Sequence, residues 1–258
     1  MPLCLLVRHG HSTANESGTL AGWTEGVGLS ERGRDQAKAL GAMLADLPVV
    51  RLATSPLLRC WQTAEAIAAA QENDPGIVVD EGLGEARYGA WTGRPLAGLA
   101  DEPLWRTVQD VPSQARFPDS EGYAGESLSE VAHRVVAAVR RIDAEVAADH
   151  GPGSVWVVVS HGDPIKAVMA DAAGAHLDSF QRLAVDPGSV SAVLYSTRRP
   201  LVLALNLVGG DLRRFMPPPA ETDSADPASD RPAPANPGGP LPGDGVVGGG
   251  SGGPPAVA

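Results

Sequence analysis

Cysteine is nearly missing from this chain of 258 residues, which carries only Cys4 and Cys60. Two cysteines without a shared short spacing make neither a disulfide framework nor a zinc site, so both are expected as buried thiols, Cys4 in a strand and Cys60 in a helix. Long hydrophobic runs are missing too, since no stretch approaches the roughly 18 apolar residues of a membrane helix. The apolar run at the start, Leu3-Cys4-Leu5-Leu6-Val7, is short and follows no basic region, so no signal peptide is visible and a cytoplasmic location is expected. Positive charge is scarce: 20 Lys and Arg stand against 31 Asp and Glu, a formal charge of −11. Such a surface favours neither nucleic acid nor anionic membrane. A phosphorylated ligand would then be gripped by a few clustered cations, not drawn in by the overall field.

Aromatic residues are absent from 217–258, where 11 Pro and 9 Gly accumulate. This segment cannot bury enough apolar surface to offset its ordering entropy and reads as a disordered tail. It leaves one domain, residues 1–216, long enough to enclose a sizeable core.

Within that domain strands and helices alternate. Leu3–Val7 is a short buried strand, followed by a Gly-rich loop (18–28) and a helix N-capped by Ser30 with Ala37, Leu40, Leu44 and Leu47 at helical spacing. A strand at Val49–Ala53 leads to Ser55-Pro56, read as N-cap and first helical position of the next helix. After a short strand at Ile77–Val79, residues 82–125 are rich in Gly and Pro and read as an irregular insertion over the carboxyl edge of the sheet, with a helical fragment near Leu104–Gln109. Ser127 and Glu130 form a capping box at the head of the longest helix. Val155–Val159 is apolar and β-branched, as in a strand covered on both faces, and runs into Ser160-His161-Gly162-Asp163-Pro164, where Asp163 and Pro164 are expected to cap and start a helix. Strands near Val190–Tyr195 and Leu201–Leu207 follow. The pattern predicts a three-layer α/β/α sandwich with a mostly parallel central sheet.

Two apolar strands therefore end in histidine: Arg8-His9-Gly10-His11 and Ser160-His161-Gly162. Ligands of open α/β sheets gather beyond the carboxyl ends of strands, and a helix N-terminus there welcomes anions. Arg59 joins them from the helix after Ser55-Pro56. A neutral histidine held through one ring nitrogen can attack phosphorus with the other. Arg8, Arg59 and His161 could neutralise the equatorial oxygens of the transferring group. No metal or cofactor is needed for that chemistry. A leaving alkoxide needs a proton, and Glu85 is the best-placed donor, able to serve afterwards as the base for water. Glu121 and Glu126 compete with it on spacing alone.

The ordered set of motifs resembles the histidine phosphatase superfamily, in its phosphoglycerate mutase-like branch, over nearly all of residues 3–208. Arg8-His9-Gly10-His11-Ser12-Thr13-Ala14-Asn15 resembles the nucleophile motif and Leu29-Ser30-Glu31-Arg32-Gly33-Arg34-Asp35-Gln36-Ala37 the signature after it. Ser55-Pro56-Leu57-Leu58-Arg59-Cys60-Trp61-Gln62-Thr63-Ala64 is similar to the arginine helix, Glu85 with Gly89, Trp91 and Gly93 to the proton-donor motif, Gly125-Glu126-Ser127 to the segment before the long helix, and Ser160-His161-Gly162 to the second histidine loop. Leu-Ala-Gly, Trp-Thr-Gly-Arg and Glu-Pro-Leu-Trp blocks resemble an actinobacterial phosphomutase/phosphatase group. The resemblance implies a phosphoglycerate mutase-like fold without a metal cofactor. His9 would be the phosphorylated nucleophile, Arg8, Arg59 and His161 the phosphate pocket, Asn15 a further donor, and Glu85 the acid. Gly10, Gly22, Tyr88 and Gly162 complete the candidate substrate-binding set. The implied activity is phosphomonoester hydrolysis on a small phosphorylated metabolite, with room for a homodimer.

Blander readings stand beside these. His9, His11, His161 and Asp163 could be drawn together as a metal site, although no dense ligand motif supports it. His133, His150 and His176 read as surface or helix-end residues, Trp91 and Trp105 as core. A mutase would need extra cations in 86–126 to grip a carboxylate, and Arg87, Arg94, Arg106 and Arg116 occur there only singly. A phosphate-binding module without turnover is the third reading.

Overall fold

The computed structural model describes residues 2–208 except 152 and 197. The expected tail, 217–258, and the boundary near residue 216 lie outside the described residues. Six strands form one sheet in the order β3-β2-β4-β1-β5-β6. They are β1 (Leu3–Arg8), β2 (Val49–Thr54), β3 (Ile77–Val79), β4 (Val155–Ser160), β5 (Val190–Tyr195) and β6 (Pro200–Leu207). β3, β2, β4 and β1 run parallel, and β5 and β6 form an antiparallel hairpin on the far side of β1. The sheet is mostly parallel, as the sequence pattern predicts, and only the last strand pair departs from alternation with helices.

The helices are α1 (Thr13–Glu16), α2 (Glu31–Leu44), α3 (Leu58–Ala68), α4 (Leu96–Leu99), α5 (Pro103–Asp110), α6 (Leu128–His150) and α7 (Gly162–Ala172). Leu40 and Leu44 of α2 and Cys60, Ala64 and Ile67 of α3 pack on one face of the sheet. Val135, Val139, Ile142 and Val146 of α6 and Ile165, Val168 and Met169 of α7 cover the other. Every residue of β4 is buried between the two layers, which explains its continuous apolar run. A third cluster holds the insertion together: Trp91, Trp105, Phe117 and Tyr88 pack with Leu128 and Val131 at the start of α6.

β1 and β4 are the neighbours that matter. Arg8 pairs in register with Ser160, so the residues that follow them, His9 and His161, leave the sheet side by side. The chain from β1 turns toward α2 on one face and the chain from β4 enters α7 on the other. The backbones therefore diverge and open a crevice between these two strand ends, as at the switch point of an open α/β sheet.

Capping bears out Ser30, whose side chain accepts from the Gly33 amide, and the Ser127/Glu130 box. Two caps need correction. α3 starts at Leu58 with Leu57 at the N-cap, not at Ser55-Pro56, because the Ser55 hydroxyl is drawn to His161 Nε2 at 2.7 Å. α7 is N-capped by His161, and Asp163 lies inside its first turn with its carboxylate on the Tyr88 hydroxyl. In both places a tertiary hydrogen bond takes the side chain that local propensity assigned to a cap.

Candidate active site

His9 lies at the end of β1 with only 3% of its surface exposed. Its Nδ1 is 2.7 Å from the carbonyl oxygen of Gly10. A carbonyl only accepts, so Nδ1 carries the proton and the lone pair of a neutral ring sits on Nε2. Burial, and then the charges of Arg59 and Arg8, hold the proton affinity of His9 well below the ordinary histidine value, which keeps the ring neutral. The loop behind it is fixed by the Gly10 amide donating to Thr63 Oγ1 at 3.1 Å. It also presses on α2: a Cβ at Gly33 would lie 1.9 Å from the His11 carbonyl oxygen. That contact is the physical reason for glycine in the Leu29–Ala37 signature.

Two buried guanidinium groups face His9. Arg59 donates from Nε to His9 Nε2 at 3.3 Å and from Nη2 to the Gly22 carbonyl at 3.0 Å. Arg8 donates from Nη1 to the Val185 carbonyl at 2.5 Å. Arg8 Nε and Nη2 and Arg59 Nη1 are buried without a hydrogen-bond partner. Burying unpaired charged donors costs more than the ~1–3 kcal/mol of a neutral group, and a tetrahedral anion between them would satisfy all three. Burial lowers the proton affinity of both groups from the ordinary arginine value, yet guanidinium starts so high that the charge is retained.

His161 is fully buried, its ring 5.1 Å from that of His9 at 65°. Besides Ser55, Cys60 Sγ lies 3.4 Å from its Nε2. Its Nδ1 lies 3.9 Å from Glu85 Oε2. Glu85 is 2% exposed and accepts from the Ala86 amide through Oε1 at 2.9 Å. Its carboxyl is pushed up to about 7, by burial first and by Asp163 next, against the pull of Arg59. Of the competing carboxylates, Glu126 is bound to Arg134 at 2.6 and 2.9 Å and Glu121 is exposed.

The other predicted residues fall around this centre in different ways. Gly22 presents the carbonyl that holds Arg59, with φ +49. Asn15 closes a capping box with Ser12 through its Oδ1. Gly162 opens α7 against Arg8, where a Cβ would sit 3.6 Å from Cζ. Tyr88 is fully buried and turns its hydroxyl to Asp163, 2.7 Å away. His11 bonds Ser30 Oγ through Nδ1 at 2.9 Å. Among the described residues no group of three or more His, Cys, Asp or Glu side chains is arranged to hold a metal ion.

Two participants escaped sequence reasoning, and a third, Trp23, which the sequence offers as a substrate contact or as simple packing, takes a role not foreseen. Ser55, read as a cap, instead holds His161. Arg134 of α6 donates to the carbonyls of Gly82, Gly84 and Glu85 at 3.0, 2.8 and 2.8 Å. Trp23 donates from Nε1 to the Glu85 carbonyl at 2.7 Å, and Arg87 stacks 4.0 Å from the centre of its ring. Donors to main-chain carbonyls leave no sequence pattern. Around Trp23 opens a cavity of ≈ 540 Å³ whose lining includes Trp23, Thr24, Arg87, Thr92 and Tyr123.

Residues 4–208 match the model of the histidine phosphatase superfamily, branch 1. The chain is 32% identical over 204 residues to phosphoserine phosphatase 1 of Hydrogenobacter thermophilus, covering 79% of this chain and 91% of that protein. It is 31% identical over 172 residues to a 2,3-bisphosphoglycerate-dependent phosphoglycerate mutase of Gloeobacter violaceus, covering 66% and 75%. Among solved structures, a mycobacterial glucosyl-3-phosphoglycerate phosphatase superposes with a TM-score of 0.68 at 25% identity, over 79% of this chain and 98% of that one. No helix among the described residues is long and apolar enough to cross a membrane. Fold, motif order and family match agree, and the chain belongs to the histidine phosphatase superfamily, branch 1.

Proposed function

We propose that this protein is a phosphomonoesterase that hydrolyses a small phosphorylated metabolite in two steps through a phosphohistidine at His9, without a metal ion. A phosphate dianion enters between Arg8 and Arg59, where three unpartnered N–H groups meet it. The bare Nε2 of His9 attacks phosphorus as the ester P–O bond breaks, and protonated Glu85 gives its proton to the leaving oxygen. With Ser55 donating to His161 Nε2, His161 carries its proton on Nδ1, 3.8 Å from Cys60 Sγ, and donates it to an equatorial oxygen once phosphate is bound. Glu85, now a carboxylate, takes a proton from water, whose oxygen attacks phosphorus and breaks the P–N bond. Phosphate leaves, and His9 and Glu85 return to their starting states.

The observation that carries this reading is the juxtaposition of a neutral imidazole whose unprotonated nitrogen faces Arg59, of unpaired guanidinium donors, and of a carboxyl raised to about 7. Asn15, Gly10, Gly22 and Gly162 shape the phosphate pocket, and Tyr88 supports it from behind. The chemistry resides in residues 1–216, and 217–258 are assigned no part in it. A cytoplasmic location, independence of nucleic acid and membrane, and assembly as a homodimer are consistent with the same reading.

Hydrolysis is favoured over phosphate transfer between two positions of one substrate by the state of two of the insertion's four arginines, while Arg87 lines the cavity beside Trp23. Arg94 is paired with Glu102 at 2.6 Å and Arg116 with Glu130 at 2.7 Å, so neither is held ready for a substrate carboxylate. Incubation with p-nitrophenyl phosphate and with 3-phosphoglycerate, with and without a chelator, tests the proposal. We expect chelator-resistant hydrolysis that His9→Ala abolishes. Interconversion of 3- and 2-phosphoglycerate would indicate a mutase, and no turnover of either a binding module.

A further inference from the structure

Among the described residues only one that is not glycine has a left-handed backbone: Asn206, at φ +57. It lies near the end of β6, where the pairing with β5 slips. Val190 faces Leu207 and Ala192 faces Ala204, so Leu205 and Asn206 together stand opposite Ser191. An extra residue of this kind is a bulge, which re-aims a side chain out of the strand pattern. Asn206 is 4% exposed beside Leu207 at 45%, and its amide donates to Ser191 Oγ at 3.1 Å. Asparagine adopts this backbone at some cost, and a cost of that kind persists only where neighbouring bonds hold it.

The bonds lead to the phosphate pocket through a single peptide group. Asn206 Oδ1 accepts from the Asp186 amide at 2.7 Å, and Nδ2 donates to Asp186 Oδ2 at 3.0 Å. The Asp186 amide shares its peptide plane with the Val185 carbonyl, and in a trans peptide the two point in opposite directions. That carbonyl accepts from Arg8 Nη1 at 2.5 Å and is the only hydrogen-bond partner of the Arg8 guanidinium among the described residues, since Nε and Nη2 have none. The rest of the loop is bound to the end of β1 by its main chain: the Gly188 amide donates to the Arg8 and His9 carbonyls, and the Ser189 carbonyl accepts from the Arg8 amide at 3.0 Å. These bonds hold the backbone of Arg8. Only the 185–186 peptide is bonded to its charged end.

We propose that Asn206 is a positioning residue for Arg8: bound to one edge of the 185–186 peptide, its carboxamide aims the carbonyl on the other edge at the guanidinium and so sets Arg8 for phosphate. This deepens the proposed function and rests on Arg8 meeting the phosphate there. A long arginine stem has many rotamers, and its planar fork serves an oxyanion only in the right orientation. A peptide bonded on its N–H is also polarised toward a stronger acceptor at its C=O. Released from Asn206, the 185–186 peptide is free to turn, and the Arg8 fork turns with it. Misplacement by about 1 Å can cost a reacting site about 10²-fold, while His9, Arg59 and Glu85 keep their own partners.

The test is a double-mutant comparison on the full chain. Asn206→Gly keeps the left-handed backbone and removes the side chain. With Arg8 present it should lower kcat/KM for p-nitrophenyl phosphate about tenfold and weaken orthovanadate, a tetrahedral stand-in for phosphate, by a similar factor. In an Arg8→Ala background the same change should alter neither by more than about twofold. A merely structural role would give the same loss in both backgrounds, and that result, or no loss with Arg8 present, would overturn the inference while leaving the proposed function standing. If Arg8→Ala turns over too slowly to follow, calorimetric binding of orthovanadate to wild type, both single variants and the double variant decides in the same way. If Asn206→Gly does not fold, Asn206→Asp, which matches the side chain in shape but lacks the Nδ2 donor, is carried through the same comparison. An Arg8→Ala enzyme as active as wild type would overturn both this inference and the place of Arg8 in the pocket.

Discussion

The two ends of the site are built differently. At the deep end Arg8, His9, Arg59, Glu85 and His161 are each 3% exposed or less, and each is tied to a main-chain atom or to a buried neighbour. At the mouth Trp23, Thr24 and Arg87 are half-buried and Glu25 and Gly122 exposed, on the Gly-rich loop and the insertion. The deep end is set by the registered ends of β1 and β4 and by two helices, so its atoms have little freedom. The mouth is set by loops, where substrate choice is usually made. On the proposed function, chemistry and selection reside on separate parts of the chain, and substitutions should separate them too.

The strongest break at the deep end is Arg59→Ala, which removes the donor to His9 Nε2 and a buried, unpartnered N–H. We expect kcat/KM to fall by about 10²- to 10³-fold for every ester tried, with the melting temperature little changed, as steady-state kinetics and a thermal scan would show. Glu85→Gln comes next and depends on the leaving group. Glycerol 2-phosphate should lose about 10²-fold or more and p-nitrophenyl phosphate far less. With wild-type enzyme the glycerol 2-phosphate rate should decline above about pH 7, where free Glu85 loses its proton. His9, held well below the ordinary histidine value, should impose no loss on mild acidification. The smallest effect belongs to the mouth. Arg87→Ala uncovers the Trp23 ring and should alter KM a few-fold, about 1 kcal/mol, with a different ratio for each substrate of a panel and kcat for p-nitrophenyl phosphate nearly unmoved. A uniform loss of kcat in Arg87→Ala would erase the division between the two ends.

The same division decides how much was legible in the sequence. The deep end was readable because strands ending in Arg8-His9-Gly10 and Ser160-His161-Gly162 announce themselves by apolar runs that stop at histidine, and because strand and helix alternate up to β4. The strand boundaries and the Ser30 and Ser127 caps follow from local propensity. Ser55 and Asp163 were misread as caps because their hydrogen bonds go to His161 and Tyr88, 106 and 75 residues away, where no local rule reaches. Arg134 was invisible for the same reason, as its partners are carbonyls about 50 residues distant. The insertion was legible only as irregular. Its packing around Trp91, Trp105 and Phe117 depends on contacts with α6 that spacing does not encode.

Everything in this account turns on a P–N bond at one nitrogen, and rapid acid-free quenching of the enzyme with ³²P-labelled substrate tests it most directly. The account predicts label that is stable to alkali, lost in acid, located on the peptide containing His9 and absent from His9→Ala. Steady hydrolysis with no such label at any quench time, or label on another residue, would contradict it.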